Sequence, residues 1–354
     1  MKFLFKNLIN LITGKRTIGQ IFNYLKFMYT PKREKLFYQP ITLSIQTTNR
    51  CNLTCDMCQA HSRKIPRSIY HYQGGKDIDF QTFKRFVDKF KNALGVLLIG
   101  TGEPLLNKDF YRMVNYAAFK RKMHVITVSN GTVLGDKIDE ILSSGLYSIE
   151  ISLNGHNTNE FERMTGQPPK YYSLICENVR QLVKRRNEKK SKLKISLSFI
   201  LDLQNYKNIF QMIKTAENFE VDEISFHNFL PSPVPGFTAE ERCLFLDNQE
   251  VINIFKRVKN GHYKIRINFP CLLDKSRKNK YCRDYFTLLR VDGEGDVGGC
   301  SGQLLNLAGN GKFYDKDVWN NAHFVERRKL FLDPNLPDLP PCQNCSCNNK
   351  PLKL

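Results

Sequence analysis

Three cysteines, Cys51, Cys55 and Cys58, lie in the run Thr48-Asn49-Arg50-Cys51-Asn52-Leu53-Thr54-Cys55-Asp56-Met57-Cys58 with the spacing C-x3-C-x2-C. A cubane iron-sulfur cluster is usually held by four thiolates, so a loop offering three leaves one iron open to a ligand that is not protein. A zinc site is the alternative. Structural zinc, however, takes four protein donors, often in paired C-x2-C knuckles, which this triplet does not supply.

Such a loop needs a rigid frame. From residue 41 onward, short β-branched or apolar runs alternate with longer helical patterns, which predicts repeated strand-helix units and a parallel sheet. Six strands are expected near 41–47, 96–100, 124–129, 147–152, 193–200 and 223–227, with helices around 79–93, 107–122, 135–144, 159–189, 206–219 and 238–259. Functional loops in such folds gather at the carboxyl ends of the strands, and the cysteine loop directly follows the first. The second strand ends in Gly100-Thr101-Gly102-Glu103-Pro104, the third in Ser129-Asn130-Gly131-Thr132 and the fourth in Ser152-Leu153-Asn154-Gly155. Three consecutive strands therefore deliver glycine or small polar residues to one rim.

This succession resembles the motifs of the radical S-adenosylmethionine (radical SAM, AdoMet) superfamily over residues 41 to 230. The resemblance implies an α/β fold, a partial (βα)6 TIM-like barrel, with AdoMet on the open iron of a [4Fe-4S] cluster held by Cys51, Cys55 and Cys58. It further implies that Met57 lies near the adenine and that the turn Gly100, Thr101, Gly102, Glu103 receives the methionine amino group. Ser129, Asn130, Ser152 and Asn154 are expected near the ribose or methionine moiety. Arg163 is assigned either to the AdoMet carboxylate or to a surface ion pair. Thr101 and Asn154 depart from the more usual Gly-Gly-Glu-Pro and Asp-Gly. The implied chemistry is reductive cleavage of AdoMet to a 5′-deoxyadenosyl radical that abstracts hydrogen from a substrate, with no further catalytic side chain required and with a reduced flavodoxin or ferredoxin as electron donor.

After Pro270 the pattern changes to strand-turn-strand around Asp292-Gly293-Glu294-Gly295, a helix near 315–332 and a terminal Cys342-Gln343-Asn344-Cys345-Ser346-Cys347. Residues 271–354 are expected to form a small α+β domain similar to the SPASM/twitch appendage, which holds auxiliary clusters. The resemblance implies one auxiliary [4Fe-4S] cluster on Cys282, Cys300, Cys342 and Cys345. Cys347 is an alternative to Cys345, Cys271 is unassigned, and a zinc ribbon is the competing reading. Cys176 and Cys243 fall in predicted helices and read as core. An auxiliary cluster suits an oxidoreductase or maturase acting on a peptide, a protein or a small molecule such as a carbohydrate.

The chain has 354 residues, with 54 Lys+Arg against 34 Asp+Glu for a formal charge of +20. That charge suits any polyanion, and scattered basic residues such as Lys184-Arg185-Arg186 read as solvated helix faces. Nucleic acid is not the expected partner; an RNA-modifying radical enzyme and a zinc-dependent nucleic-acid-binding protein stand as alternatives. Eleven cysteines, an odd number with three clustered, point to a reducing compartment, the cytoplasm. In the extension 1–40, Leu4, Leu8, Leu11, Ile18, Phe22, Leu25 and Tyr29 fall near one helical face beside Lys2, Lys6, Lys15, Arg16 and Lys26. The first expectation is a helix that packs on the barrel; peripheral membrane contact is the second, and a weak targeting signal is a further alternative.

Overall fold

The computed structural model describes residues 16–66, 77–275, 282–300, 307, 309–333, 335–336 and 342. In chain order its main elements are α1 (Ile18–Tyr29), β1 (Thr42–Gln46), α2 (Phe80–Lys89), β2 (Gly95–Ile99), α3 (Phe110–Asn115), β3 (His124–Ser129), α4 (Ile138–Ser143) and β4 (Ser148–Ser152). There follow α5 (Thr158–Thr165), α6 (Pro169–Glu188), β5 (Lys194–Leu201), α7 (Ile209–Asn218), β6 (Glu223–Asn228), α8 (Ala239–Arg242), α9 (Gln249–Lys259) and β7 (Arg266–Asn268). The remainder comprises α10 (Asp284–Thr287), β8 (Leu288–Val291), β9 (Val297–Gly298) and α11 (Ala322–Leu332).

The strands form one sheet in the order β7-β6-β5-β4-β3-β2-β1-β8-β9, parallel except for the β8–β9 pair. Successive parallel strands joined by helical crossovers give the partial TIM-like barrel expected from the sequence. Along β2, β3 and β4 burial alternates residue by residue. Val96, Leu98, Val125, Ile149 and Ile151 are fully buried and join the apolar core. The alternate residues turn to the barrel interior; on β4 they are polar, Ser148, Glu150 and Ser152, whereas on β2 and β3 they are mostly apolar.

Four details depart from the sequence expectations. β7, three residues pairing in parallel with β6, is a further strand. The helix expected over 159–189 divides at Gly166, whose φ of +65° caps α5 before Pro168 and Pro169 start α6. The helix expected from 238 to 259 also divides, into α8 and α9. Finally, β8 pairs with β1 from Thr42↔Leu288 to Ile45↔Val291, so the first strand of the expected C-terminal domain extends the barrel sheet.

Candidate active site

The cysteine loop leaves the carboxyl end of β1 and is fastened on two sides. The Asp56 amide donates to the Thr165 carbonyl at the end of α5 (2.8 Å), and the Glu103 amide donates to the Arg50 carbonyl (2.8 Å). Glycine is required at the second contact: a Cβ on Gly100 would stand 2.3 Å from the Thr48 carbonyl oxygen, and one on Gly102 would stand 2.1 Å from that of Arg50. The Gly100–Gly102 turn therefore lies directly on the backbone that leads into Cys51.

Asn130 joins the third strand end to the loop. Its Nδ2 donates to Asn52 Oδ1 (2.9 Å) and to Cys51 Sγ (3.8 Å), while Oδ1 accepts from the Thr132 amide and hydroxyl (3.0 and 2.6 Å). Glu103, 2% exposed, accepts from the Ser129 hydroxyl (2.9 Å), the Asn130 amide (2.7 Å) and the Leu105 amide (3.2 Å). Its side chain thus braces the rim, and the orphaned group at this turn is Thr101, whose hydroxyl is buried without a hydrogen-bond partner. A buried orphan hydroxyl at the turn assigned to the methionine moiety fits a polar ligand.

Burial pushes the Glu103 carboxyl up to about 7 from 4.5, against the downward pull of its three donors. A proton held more tightly in the folded chain than in the unfolded one makes stability fall as pH rises from about 4.5 to about 7, with the loss complete above that. Compared with wild type, Glu103→Gln is expected to remove a slope on the order of 3 kcal/mol across this range. Denaturant midpoints of the cluster-free protein measured at intervals from pH 5 to about 8 check it; parallel wild-type and variant profiles would contradict the assignment.

Burial, reinforced for Cys55 by the neighbouring Cys58 and Cys51 thiols, raises all three thiols above their ordinary value. Among the described residues no three His, Cys, Asp or Glu side chains converge tightly enough for one metal ion. A loop of three thiols matches a cubane with one open iron better than the four protein donors of structural zinc.

The remaining candidates divide. Met57 packs against the apolar group of Met164, Phe229, Ala239, Cys243 and Leu273. Ser152 Oγ lies 3.3 Å from Ser198 Oγ on the barrel interior. Asn154, at φ +55°, spends its Oδ1 on the Ile200 amide (3.2 Å), a bond to β5. Arg163 reaches Gln204 (2.7 Å) and the buried Asp202 (3.3 Å), which also takes Arg242 (2.6 Å), so its guanidinium makes the ion pair. Other rim cations are likewise paired, Arg50 with Asp77 and Lys64 with Asp56.

Sequence reasoning missed the interior of the barrel. Glu150 on β4 meets His227 on β6 at 3.2 Å. Against the upward push of burial, bonds from His227, Ser225 and Ser198 hold the carboxyl below its ordinary value. Arg290 on β8 is fully buried, donates to Gln46 Oε1 at 3.3 Å, and has Nε and Nη1 unpartnered. Burial lowers it to about 10. The signal available beforehand was a charged residue alternating with isoleucines in Ser148-Ile149-Glu150-Ile151-Ser152.

Burial pushes the Tyr285 phenol up, and Cys300, Cys282 and Cys342 lie near enough to add to the shift against the pull of Arg327. Arg328 of α11 fixes this corner by donating to the carbonyls of Tyr285 (2.8 Å), Trp319 (2.8 Å) and Glu34 (3.0 Å). Cys345 and Cys347 lie outside the described residues. Cys271 sits instead by Asn228, whose Nδ2 donates to its carbonyl (3.3 Å), and Cys176 and Cys243 are buried.

Residues 45–216 match the family model described as the Radical SAM superfamily. These residues form a radical SAM domain. A Pyrococcus furiosus tungsten-containing aldehyde ferredoxin oxidoreductase cofactor-modifying protein is 25% identical over 260 residues, covering 71% of this chain and 69% of its own. Among solved structures, Streptococcus suis SuiB bound to its precursor peptide SuiA superposes with a TM-score of 0.62 at 17% identity, covering 87% of this chain and 70% of that one. Native anSMEcpe with bound AdoMet gives 0.59 at 14% identity, covering 83% and 84%. These likenesses show the fold. As a radical SAM enzyme the chain implies a [4Fe-4S] cluster and AdoMet, and the thiol loop with its adjoining orphan hydroxyl fits them. Among the described residues no helix is long and apolar enough to cross a membrane.

Proposed function

We propose that this radical SAM enzyme oxidises or cross-links a substrate held in its barrel mouth, with Cys51, Cys55 and Cys58 as the cluster ligands and Thr101, Ser129 and Asn130 beside AdoMet. The observation that carries the reading is the contact of three strand ends at one point, where Asn130 and the Gly100–Glu103 turn both touch the cysteine loop. When bound, the cluster and AdoMet would supply one-electron cleavage coupled to hydrogen abstraction from substrate, with 5′-deoxyadenosine formed once that hydrogen is taken. The protein's own part is to orient and to exclude water. The Asn130 amide bonds to the Cys51 sulfur, a contact of the kind that tunes cluster potential. Glu150 and His227, facing the interior, are placed to take the proton that a two-electron oxidation releases.

Cys282, Cys300 and Cys342 near Tyr285 support an auxiliary cluster completed from the terminal Cys345. The peptide in the SuiB complex supports a peptide or protein substrate; a small molecule such as a carbohydrate is the other class, and a flavodoxin- or ferredoxin-type protein is the proposed donor. Anaerobic reconstitution, reduction by dithionite and chromatography of the AdoMet products test the activity: 5′-deoxyadenosine is expected. Its absence from iron-loaded protein would refute the reading. For the second centre, Cys300→Ala is expected to lower bound iron from about eight to about four per chain while leaving AdoMet cleavage measurable. Unchanged iron content would dismiss that centre.

A further inference from the structure

Helix α1 meets the protein through buried Gln20 and Asn23 and the partly buried rings of Tyr24 and Phe27, and turns Ile18, Phe22, Met28 and Tyr29 to solvent. Gln20, fully buried, closes a capping box with Thr17 and donates through Nε2 to the carbonyls of Ala93 and Arg121, both at 2.9 Å. Asn23, 5% exposed, donates to the carbonyls of Gln39 (3.1 Å) and Asn92 (3.2 Å) and accepts from the Gln39 amide. Asn92, Ala93 and Arg121 immediately precede β2 and β3, so α1 is fastened to the foot of the barrel, opposite the cysteine rim. The outward side carries Ile18, Phe22 and Tyr29 at 73, 61 and 80% exposure. The helix therefore packs on the barrel as expected, but Ile18, Phe22 and Tyr29 do not make that contact; Leu4, Leu8 and Leu11 lie outside the described residues.

The exposed residues stand at helical spacing, and in the sequence the same spacing runs back through Leu11, Leu8 and Leu4. Phe37 and Phe119, also exposed, lie in segments adjoining those that hold the helix. Exposed Lys91, Lys120 and Lys122 are in the same loops at the foot, Lys26 is on the helix, and no acid precedes Glu34. Apolar and aromatic side chains ringed by lysines match an anionic lipid surface, where the rings enter the interface and the amines meet headgroup phosphates. A second copy fits poorly, because each chain carries +20.

We propose that α1 and the barrel foot form a peripheral binding face for anionic phospholipid, with Ile18, Phe22 and Tyr29 inserted at the interface and the cysteine rim turned to the water. The inference is independent of the reaction proposed above.

Sedimentation of the full reconstituted chain with phosphatidylcholine vesicles, with and without phosphatidylglycerol, tests it. Binding to the anionic vesicles is expected to be at least about tenfold tighter, and to weaken as salt shortens the Debye length. The triple variant Ile18→Ser, Phe22→Ser, Tyr29→Ser and the double variant Lys120→Glu, Lys122→Glu are each expected to lose about tenfold in binding. Both alter exposed side chains, so AdoMet cleavage in solution should stay at the wild-type level and report an intact fold. Equal binding to both vesicle types, or unaltered binding by the triple variant, would overturn the proposal. So would a concentration-dependent dimer abolished by the triple variant, which would assign the face to a second copy.

Discussion

Replacing any one of Cys51, Cys55 and Cys58 by alanine is expected to reduce 5′-deoxyadenosine formation by at least about a hundredfold, since even loss of an outer-shell contact to a metal ligand costs roughly 10- to 100-fold. Each thiol is one of three that this loop offers to the cluster. The loop that carries them is set by backbone contacts, Asp56 to Thr165 and Glu103 to Arg50, which survive removal of a thiol. The variants should therefore fold, keep their far-ultraviolet dichroism and lose iron. Iron analysis beside product chromatography separates the two effects. A variant that lost one of these cysteines yet kept a full iron complement and wild-type cleavage would remove that cysteine from the ligand set. Asn130→Ala should act more mildly, because it deletes the N–H···S contact and the bond to Asn52 but leaves every thiol in place.

Gly102→Ala is expected to damage the same site from the opposite side. The added methyl would stand 2.1 Å from the Arg50 carbonyl oxygen, 2.5 Å from its carbon and 2.7 Å from its nitrogen, all backbone atoms with no rotamer to yield. Relief requires the turn to lift from the segment that leads into Cys51, breaking the Glu103–Arg50 and Gly102–Thr48 bonds. The cost should be about 3 to 5 kcal/mol, in the range of severe overpacking. Gly95→Ala serves as the control, because its methyl would meet only the His124 carbonyl at an ordinary 3.4 Å. Urea unfolding of the cluster-free proteins should place Gly102→Ala far below wild type and Gly95→Ala near it. Matching midpoints for wild type and Gly102→Ala would show that the contact is softer than its geometry implies.

Much of the frame was legible because local patterns and the fold agree. The six expected strands appear within two residues of their expected bounds, since β-branched runs bounded by turn residues have little choice but to pair. The cysteine spacing and the three rim motifs were equally plain. β7 escaped notice because three residues carry no periodicity, and its pairing depends on β6 being there first. The break between α5 and α6 was signalled by Gly166 and the prolines, yet the need for it comes from Asp56, whose carboxylate lies 2.5 Å from where a Gly166 Cβ would stand. Glu150 and His227 are 77 positions apart, and Arg290 is 244 from Gln46, so neither pair shows in any window of sequence.

Helix α1 marks the boundary between the two kinds of information. Composition and spacing determined that residues 18–29 are helical and two-sided, as they determined the barrel strands and the order in which polar residues reach the rim. Which side of α1 faces inward was decided by the barrel foot, where carbonyls at Asn92, Ala93 and Arg121 receive the amides of Gln20 and Asn23. Periodicity encodes a pattern along one element; the burial and hydrogen-bonding of a face depend on partners that only the folded chain brings within reach.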